Sequence, residues 1–219
     1  MPLMPMEGSP GLFRDDQGNI ANIRDYRESD IYDSVVIPAA NVLVAGSEWV
    51  FFQDVQGKRE IDSNFKTPRK MAAGESMVVD RIGLQIRLSL GNAITKIEDI
   101  KKVAENGFFR IKVNDLMVDS GPMIKFPSGF GLSGQTNESD AGIASIGVPA
   151  TASANRLMRK LVLNQNHELD AVIRFDARTW VGAIGTLGVA GPTIAQPTLS
   201  GPVMVTCYLH GLIRSAVTK

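Results

Sequence analysis

Few residues in this chain have the type and spacing to do chemistry. Gly129-Phe130-Gly131-Leu132-Ser133-Gly134 matches GxGxxG. In a dinucleotide site such glycines close a turn between a strand and a helix, and an acid about 20 residues on takes the ribose. Here they run into QTNESDAG, which is no helix start, so a flexible loop is the better reading. His167 and His210 fall on separate strand-like segments without ligand spacing. Either could meet an acid across a sheet, and both read as structural. CxxC, HxH and HExxH are missing, so a protein-built zinc site is not expected. Cys207 lies on the apolar side of the last strand, where burial raises a thiol pKa and makes it inert. The GxSxG elbow of a hydrolase is absent too.

Paired acids occur at Asp15-Asp16 and Glu138/Asp140. Loop carboxylates can build a calcium site, but a solvated loop explains these more simply. Asn137-Glu138-Ser139 is a glycosylation sequon with no secretory context to use it. Trp49, Phe51 and Phe52, beside Gly46-Ser47, could offer a sugar platform. On a strand, though, Trp49 and Phe51 share one face and Phe52 takes the other, the pattern of two-sided burial. No catalytic, cofactor or metal residue is assigned, no small-molecule substrate is implied, and an enzyme is not expected.

Composition narrows the class further. The chain has 219 residues, 44% hydrophobic and 21% charged, with 23 basic residues against 23 acidic. That is enough to bury a sizeable core. A neutral chain has no global attraction for nucleic acid or an anionic membrane, so specific nucleic-acid binding is not expected. Local basic clusters remain at Lys58/Arg59, Lys66/Arg69/Lys70 and Arg156/Arg159/Lys160. One cysteine allows no internal disulfide, leaving packing or assembly to supply stability. The first residues, MPLMPMEGSPGLF, lack a signal-peptide pattern, and no apolar run approaches a membrane span.

The elements that position these residues are mostly strands. Ser76 to Leu90 alternates Val78, Ile82, Leu84, Ile86, Leu88 and Leu90 on one face with Arg81, Gln85, Arg87 and Ser89 on the other. This is the period of a long central strand. Asp80 breaks the pattern and places the regular strand's start near Arg81. Tyr32–Ile37, Asn41–Ala45, Glu48–Gln53, Gly107–Val113, Asp115–Val118, Pro122–Phe126, His167–Phe175 and Val203–Arg214 read as further strands. Arg156–Leu163 reads as strand, with helix as an alternative. Thr95-Lys96-Ile97-Glu98 is a capping box opening one short helix, with Ile97, Ile100, Val103 and Ala104 on one face and Asn106-Gly107 as the stop.

Residues 1 to 31 carry no sustained period and read as an N-terminal arm before a single domain, 32 to 219. Two long segments, Pro127–Asn155 and Val181–Pro202, are built from small residues and read as loops. The expected fold is all-β: a jelly-roll β-sandwich of about eight strands, with one short helical insertion at about residues 95–106 and long loops.

The arm, EWVFFQDVQGK, the DRIGLQIRLSL strand followed by a short helix, the FPSGFGLSG turn and the Gly/Ala/Ser loops together resemble the capsid proteins of small tailless icosahedral prokaryotic viruses built on single jelly rolls. The resemblance covers most of residues 32 to 215. It implies a virion structural protein of a bacteriophage, assembled in the host cytoplasm into an icosahedral shell through edges and loops. The partners it implies are further copies of the chain and other virion proteins. A strongly basic arm is lacking, which would fit a shell over an internal membrane or another layer, or a genome packaged without arm contacts.

Physics points the same way. Ordering two long, charge-poor loops costs entropy that a monomer does not recover. The assembly interface is therefore expected in the arm and these loops, at Met4, Phe13, Phe130, Leu132, Ile143, Ile146, Ile184, Leu187 and Ile194. The competing reading is a β-sandwich carbohydrate- or receptor-binding module, whose loops would stay folded in the monomer and hold ligand groups.

Overall fold

The computed structural model describes residues 4–5, 12–14, 20–22, 26–38, 46–88, 97–128, 132–136, 142–146, 154–175 and 199–214. Three short strands come first: β1 (Met4–Pro5), β2 (Leu12–Arg14) and β3 (Ile20–Asn22). The sandwich follows in β4 (Tyr26–Ile37), β5 (Ser47–Phe51), β6 (Ser76–Leu88), α1 (Ile97–Asn106), β7 (Gly107–Val113) and β8 (Leu116–Pro122). A hairpin of β9 (Leu132–Thr136) and β10 (Gly142–Ile146) precedes β11 (Asn155–Asn164), β12 (Leu169–Phe175) and β13 (Val203–Arg214).

Strand pairing is nested. β4 pairs with β13, β5 with β12, β6 with β11 and β7 with β8, all antiparallel. The sandwich is thus one long hairpin that doubles back at Asn114-Asp115. Pairing of β6 with β13 and of β7 with β12 rolls that hairpin up. The result is two four-stranded sheets, β11-β6-β13-β4 and β5-β12-β7-β8. This is jelly-roll topology. At the reversal Asn114 (φ 49°) and Asp115 (φ 63°) both adopt positive φ, as a two-residue type I′ turn requires. Asn114 donates its N–H to the Glu168 carbonyl at 3.0 Å and accepts the Glu168 N–H on Oδ1 at 2.8 Å. That pair fastens the reversal to the connection between β11 and β12.

Between the sheets lies one core, holding Ile82, Phe109, Ile111, Phe126, Leu169 and Phe175 among its fully buried side chains. Each contributes roughly 1.5–3 kcal/mol on burial. Phe109 meets Phe126 edge-on at 5.0 Å and Phe51 at 6.3 Å. Helix α1 buries Ile100 and Val103 with Ala104 half-buried, three of the four residues expected on its inner face (the side chain of Ile97 lies outside those described), and ends at Asn106. The capping-box side chains of Thr95 and Glu98 lie outside the described residues.

In β6 the core-facing residues are Met77 and Val79, then Ile82, Leu84 and Ile86. Odd positions change to even at Asp80. The register explains the change: His210 lies opposite Arg81 while Gly211 lies opposite Val79, so Asp80 is an extra residue that β13 does not match. Such a bulge lets one strand present two apolar runs of opposite parity to the same core. Val78, expected on the core face, is half-buried on the other. The expected start near Arg81 marked the bulge, and β6 itself begins at Ser76. Gly211 lies so close to the bulge that a Cβ there would fall 2.0 Å from the Val78 carbonyl oxygen.

Several boundaries differ from expectation. β4 begins at Tyr26, before the expected Tyr32, because its whole length pairs with β13. The arm carries β1–β3, which form a small sheet of their own. Of Pro122–Phe126 only Pro122 is strand, as the end of β8; Met123–Lys125 forms a 3-10 turn that turns Met123 inward. Within Pro127–Asn155, β9 and β10 replace part of the expected loop. Phe52 does not take the opposite face from Phe51. Its positive φ of 59° turns it back into the core, against Phe65 at 5.1 Å. Arg156–Leu163 is strand, settling the helix alternative. Asn41–Ala45 and most of Val181–Pro202 lie outside the described residues.

Gly211→Ala is expected to lose about 2–4 kcal/mol in urea unfolding, because the clash is with backbone that cannot move without breaking the bulge. Asp115→Gly is expected to gain about 0.5–1 kcal/mol in the same assay, since glycine holds positive φ without strain.

Candidate functional site

An antiparallel sandwich has two sides where sheet edges are exposed, and here they differ. On one side β4 is covered. Asn64 donates its N–H to the Tyr32 carbonyl at 3.2 Å, accepts the Tyr32 N–H at 2.8 Å and donates its side-chain amide to the Asp30 carbonyl at 2.7 Å. Lys58 Nζ reaches the Ser34 carbonyl at 2.7 Å. On the other side β8 and β11 end their sheets, and among the described residues no strand pairs with either outer edge.

Between β8 and β11 runs a groove of about 810 Å³, floored by Val113, Val118, Leu157 and Leu161. Leu116 and Met117 border it at 72% and 49% exposure, and Met158 is fully exposed. Local sequence produces this. β8 reads LMVDSGP, with three consecutive apolar residues at its start and no clean alternation, so one packed face cannot take them all. In β11, Arg156 pairs with Arg81 and Leu161 with Val79, so residues 157–160 bow out opposite the single residue Asp80. Met158 sits on that excursion. At one end Asp119 ties the two edges together, accepting the Asn155 side-chain amide at 2.9 Å while also binding Lys125.

The basic clusters separate by their partners. Lys58 pairs at 2.8 Å with Asp33, a fully buried carboxylate that also accepts the Phe52 N–H at 2.6 Å. Arg59 pairs with Asp62 at 2.8 Å, Lys66 with Glu75 at 3.4 Å and Arg69 with Glu168 at 3.4 Å. Arg156 and Lys160 are exposed and line the groove, and among the described residues neither forms an ion pair. Lys70 is likewise exposed without an ion pair among the described residues, so of the three clusters only Lys58/Arg59 is wholly engaged.

The remaining sequence candidates scatter. Gly134 lies within strand β9 opposite Ala144, where a dinucleotide site needs a helix. His167 lines the groove and places Nδ1 2.9 Å from the Val162 carbonyl oxygen. His210 meets Asp30 at 2.8 Å and stacks on Tyr208 at 5.9 Å. With Glu28, Asp80, Arg81 and Ser128 it lines a separate, smaller pocket of about 270 Å³. Burial pushes the Tyr208 hydroxyl up. Among the described residues no cluster of three or more His, Cys, Asp or Glu side chains could hold a metal ion, and no helix is long and apolar enough to cross a membrane.

Trp49 and Phe51 pack on the core from one face as expected, Trp49 edge-on to Phe175 at 5.2 Å. Of the expected interface positions, Met4 lies on β1, Phe13 on β2 opposite Pro5, Leu132 opposite Ile146, and Ile143 opposite Gln135. Phe130, Ile184, Leu187 and Ile194 lie outside the described residues, as do Asp15, Asp16, Asn137, Glu138 and Asp140. Sequence reasoning missed Leu116, Met117 and Met158. The available signal was apolar residues on both faces of an edge strand.

No family model, curated protein or solved structure matches this chain.

Cys207 is fully buried, and its thiol is pushed well above the ordinary range by desolvation, with the nearby Asp33 charge adding to the effect. It is expected to stay protonated at neutral pH and to resist a thiol reagent until the fold opens. Labelling followed by intact-mass measurement, with and without urea, checks this; rapid labelling of the folded protein would show the strand exposed.

Proposed function

We propose that this chain is a virion structural protein, a self-assembling jelly-roll capsid subunit of an icosahedral bacteriophage shell. What supports the reading is the asymmetry between the two sides of the sandwich. On one side the edge of β4 is covered by residues 58–64, whereas the other side offers the edges of both β8 and β11, an apolar groove and exposed Leu116, Met117 and Met158. Burying those three side chains against a neighbour contributes about 1–2 kcal/mol each. That is too weak for a lone contact to persist once rotational and translational freedom is lost. Repeated around a closed ring or shell, the same contact becomes cooperative. Jelly-roll topology suits the role, since its nested pairing leaves connections at the sandwich ends free to vary. The subunit's partners are then further copies and other virion proteins, and its place is the virion.

A glycan-binding module loses its main support, because Phe51 and Phe52 are fully buried and Trp49 packs against Phe175. No aromatic platform of those residues faces solvent.

Purified protein, taken through a concentration series by light scattering and negative-stain imaging, is expected to form closed shells or discrete symmetric oligomers. A monomer throughout the series would rule out self-assembly as the chain's own property.

A further inference from the structure

The floor and the rim of the groove between β8 and β11 differ in chemistry. Its floor is aliphatic: Val113 and Leu157 are buried there, with Val118 and Leu161 half-buried beside them. Among the described residues no Phe, Tyr or Trp lines it. At about 810 Å³ it falls within the roughly 300–1,000 Å³ of pockets that hold small ligands. Met117 and Met158 stand at its border, and unbranched thioethers adapt to an occupant of irregular shape.

Charge at the rim is one-sided. Asp119, the carboxylate that lines the groove, is already bound by Lys125, by the Asn155 side-chain amide at 2.9 Å and by the Ser120 N–H at 2.8 Å. Arg156 and Lys160 are exposed and have no carboxylate partner among the described residues. The occupant that fits these surfaces is apolar along its length and negative at one end. The backbone argues against a peptide. A strand added to either edge needs a regular run of N–H and C=O groups. β11 breaks its ladder at residues 157–160, and β8 runs into Gly121-Pro122. A hydrocarbon chain needs no ladder.

We infer that this groove binds a single-chain anionic amphiphile, a long-chain fatty acid, with its acyl chain along the aliphatic floor and its carboxylate at Arg156 and Lys160. The site goes beyond the capsid reading and does not depend on it. The acyl chain covers the floor, whereas Leu116 on the border remains for a neighbour.

Full-length protein is titrated calorimetrically with laurate, myristate and dodecyltrimethylammonium, each below its micelle concentration. One laurate per chain is expected. The two further methylenes of myristate are expected to tighten binding about tenfold, each buried methylene contributing about fourfold. The cationic amphiphile is expected to bind at least about tenfold more weakly than laurate. Arg156→Glu with Lys160→Glu, both at exposed positions, is expected to invert that preference. Lys70→Glu, which reverses an exposed cation away from the groove, is expected to leave it unchanged. Binding that ignores chain length, head-group charge or the double reversal would overturn the site. A tighter hold on a peptide of alternating valine and glutamate than on laurate would assign the groove to a strand instead. Sedimentation with phosphatidylglycerol vesicles, without uptake of soluble laurate, would assign it to a bilayer surface. Light scattering on the same samples separates this site from assembly. A chain that binds laurate and never assembles keeps the site and loses the shell, while shells that take up no laurate do the reverse.

Discussion

A strand's side chains alternate, and β6 has to face one core along its whole length. Without Asp80 as an extra residue, it could bury Met77 and Val79 or Ile82, Leu84 and Ile86, but not both sets. Everything in the first sheet depends on that insertion. β13 runs through it without a matching residue, so Val203, Val205, Cys207, Leu209 and Ile213 keep one parity. The cost falls on Gly211, which must have no side chain where Val78 approaches. On the other flank the cost falls on β11, which accommodates the same residue by bowing out four of its own. Met158 is exposed because Asp80 is inserted. Core register and surface groove are thus two consequences of one bulge.

Beyond Ile82, where β11 starts at Asn155, β11 no longer covers β6, and another segment takes its place. Leu84 donates its N–H to the Phe126 carbonyl at 2.7 Å, and Pro127 bridges Leu84 in parallel orientation. Gly83 allows this, since a Cβ there would fall 2.6 Å from the Ser128 Cα. Proline suits an edge with no further strand to serve, because it has no N–H to donate. The chain from β8 is in this way pinned to β6 before it enters the β9–β10 hairpin. That fixes where β8 and β11 can lie relative to each other, and with Asp119 binding Asn155 it sets the width of the groove's end.

The strands of period two were legible: in GFFRIKV the buried residues are those the alternation selects, whereas LDAVIRF also buries Val172 and the last strand also buries Met204 and Thr206, on the face opposite the core. The fold class followed from counting them. Parity changes were less legible. Asp80 stood out as a break, but a break reads equally as a strand end, and only the partner's register makes it a bulge. Phe52 needed a positive φ that no propensity assigns to phenylalanine. In the candidate site, Arg156 and Lys160 were visible as a basic cluster, as were Lys58 and Arg69. What distinguished them was the absence of an acid across space among the described residues, a long-range fact. Asp33 lies 25 positions before Lys58 and Glu168 lies 99 after Arg69, separations that local pattern does not span.

Two strand edges beside an apolar groove would ordinarily invite any extended chain, and free edges are where sheet proteins aggregate. This pair carries features that oppose indiscriminate pairing. β8 contains Gly121 and ends at Pro122, so its far end makes a poor template. β11 breaks its ladder at residues 157–160, which removes a run of regularly spaced N–H and C=O groups. Arg156 precedes the break and Lys160 lies within it, so identical basic edges repel one another. Edge-to-edge stacking of like on like is therefore disfavoured. The broken ladder and the two charges thus blunt both edges without covering the apolar groove between them.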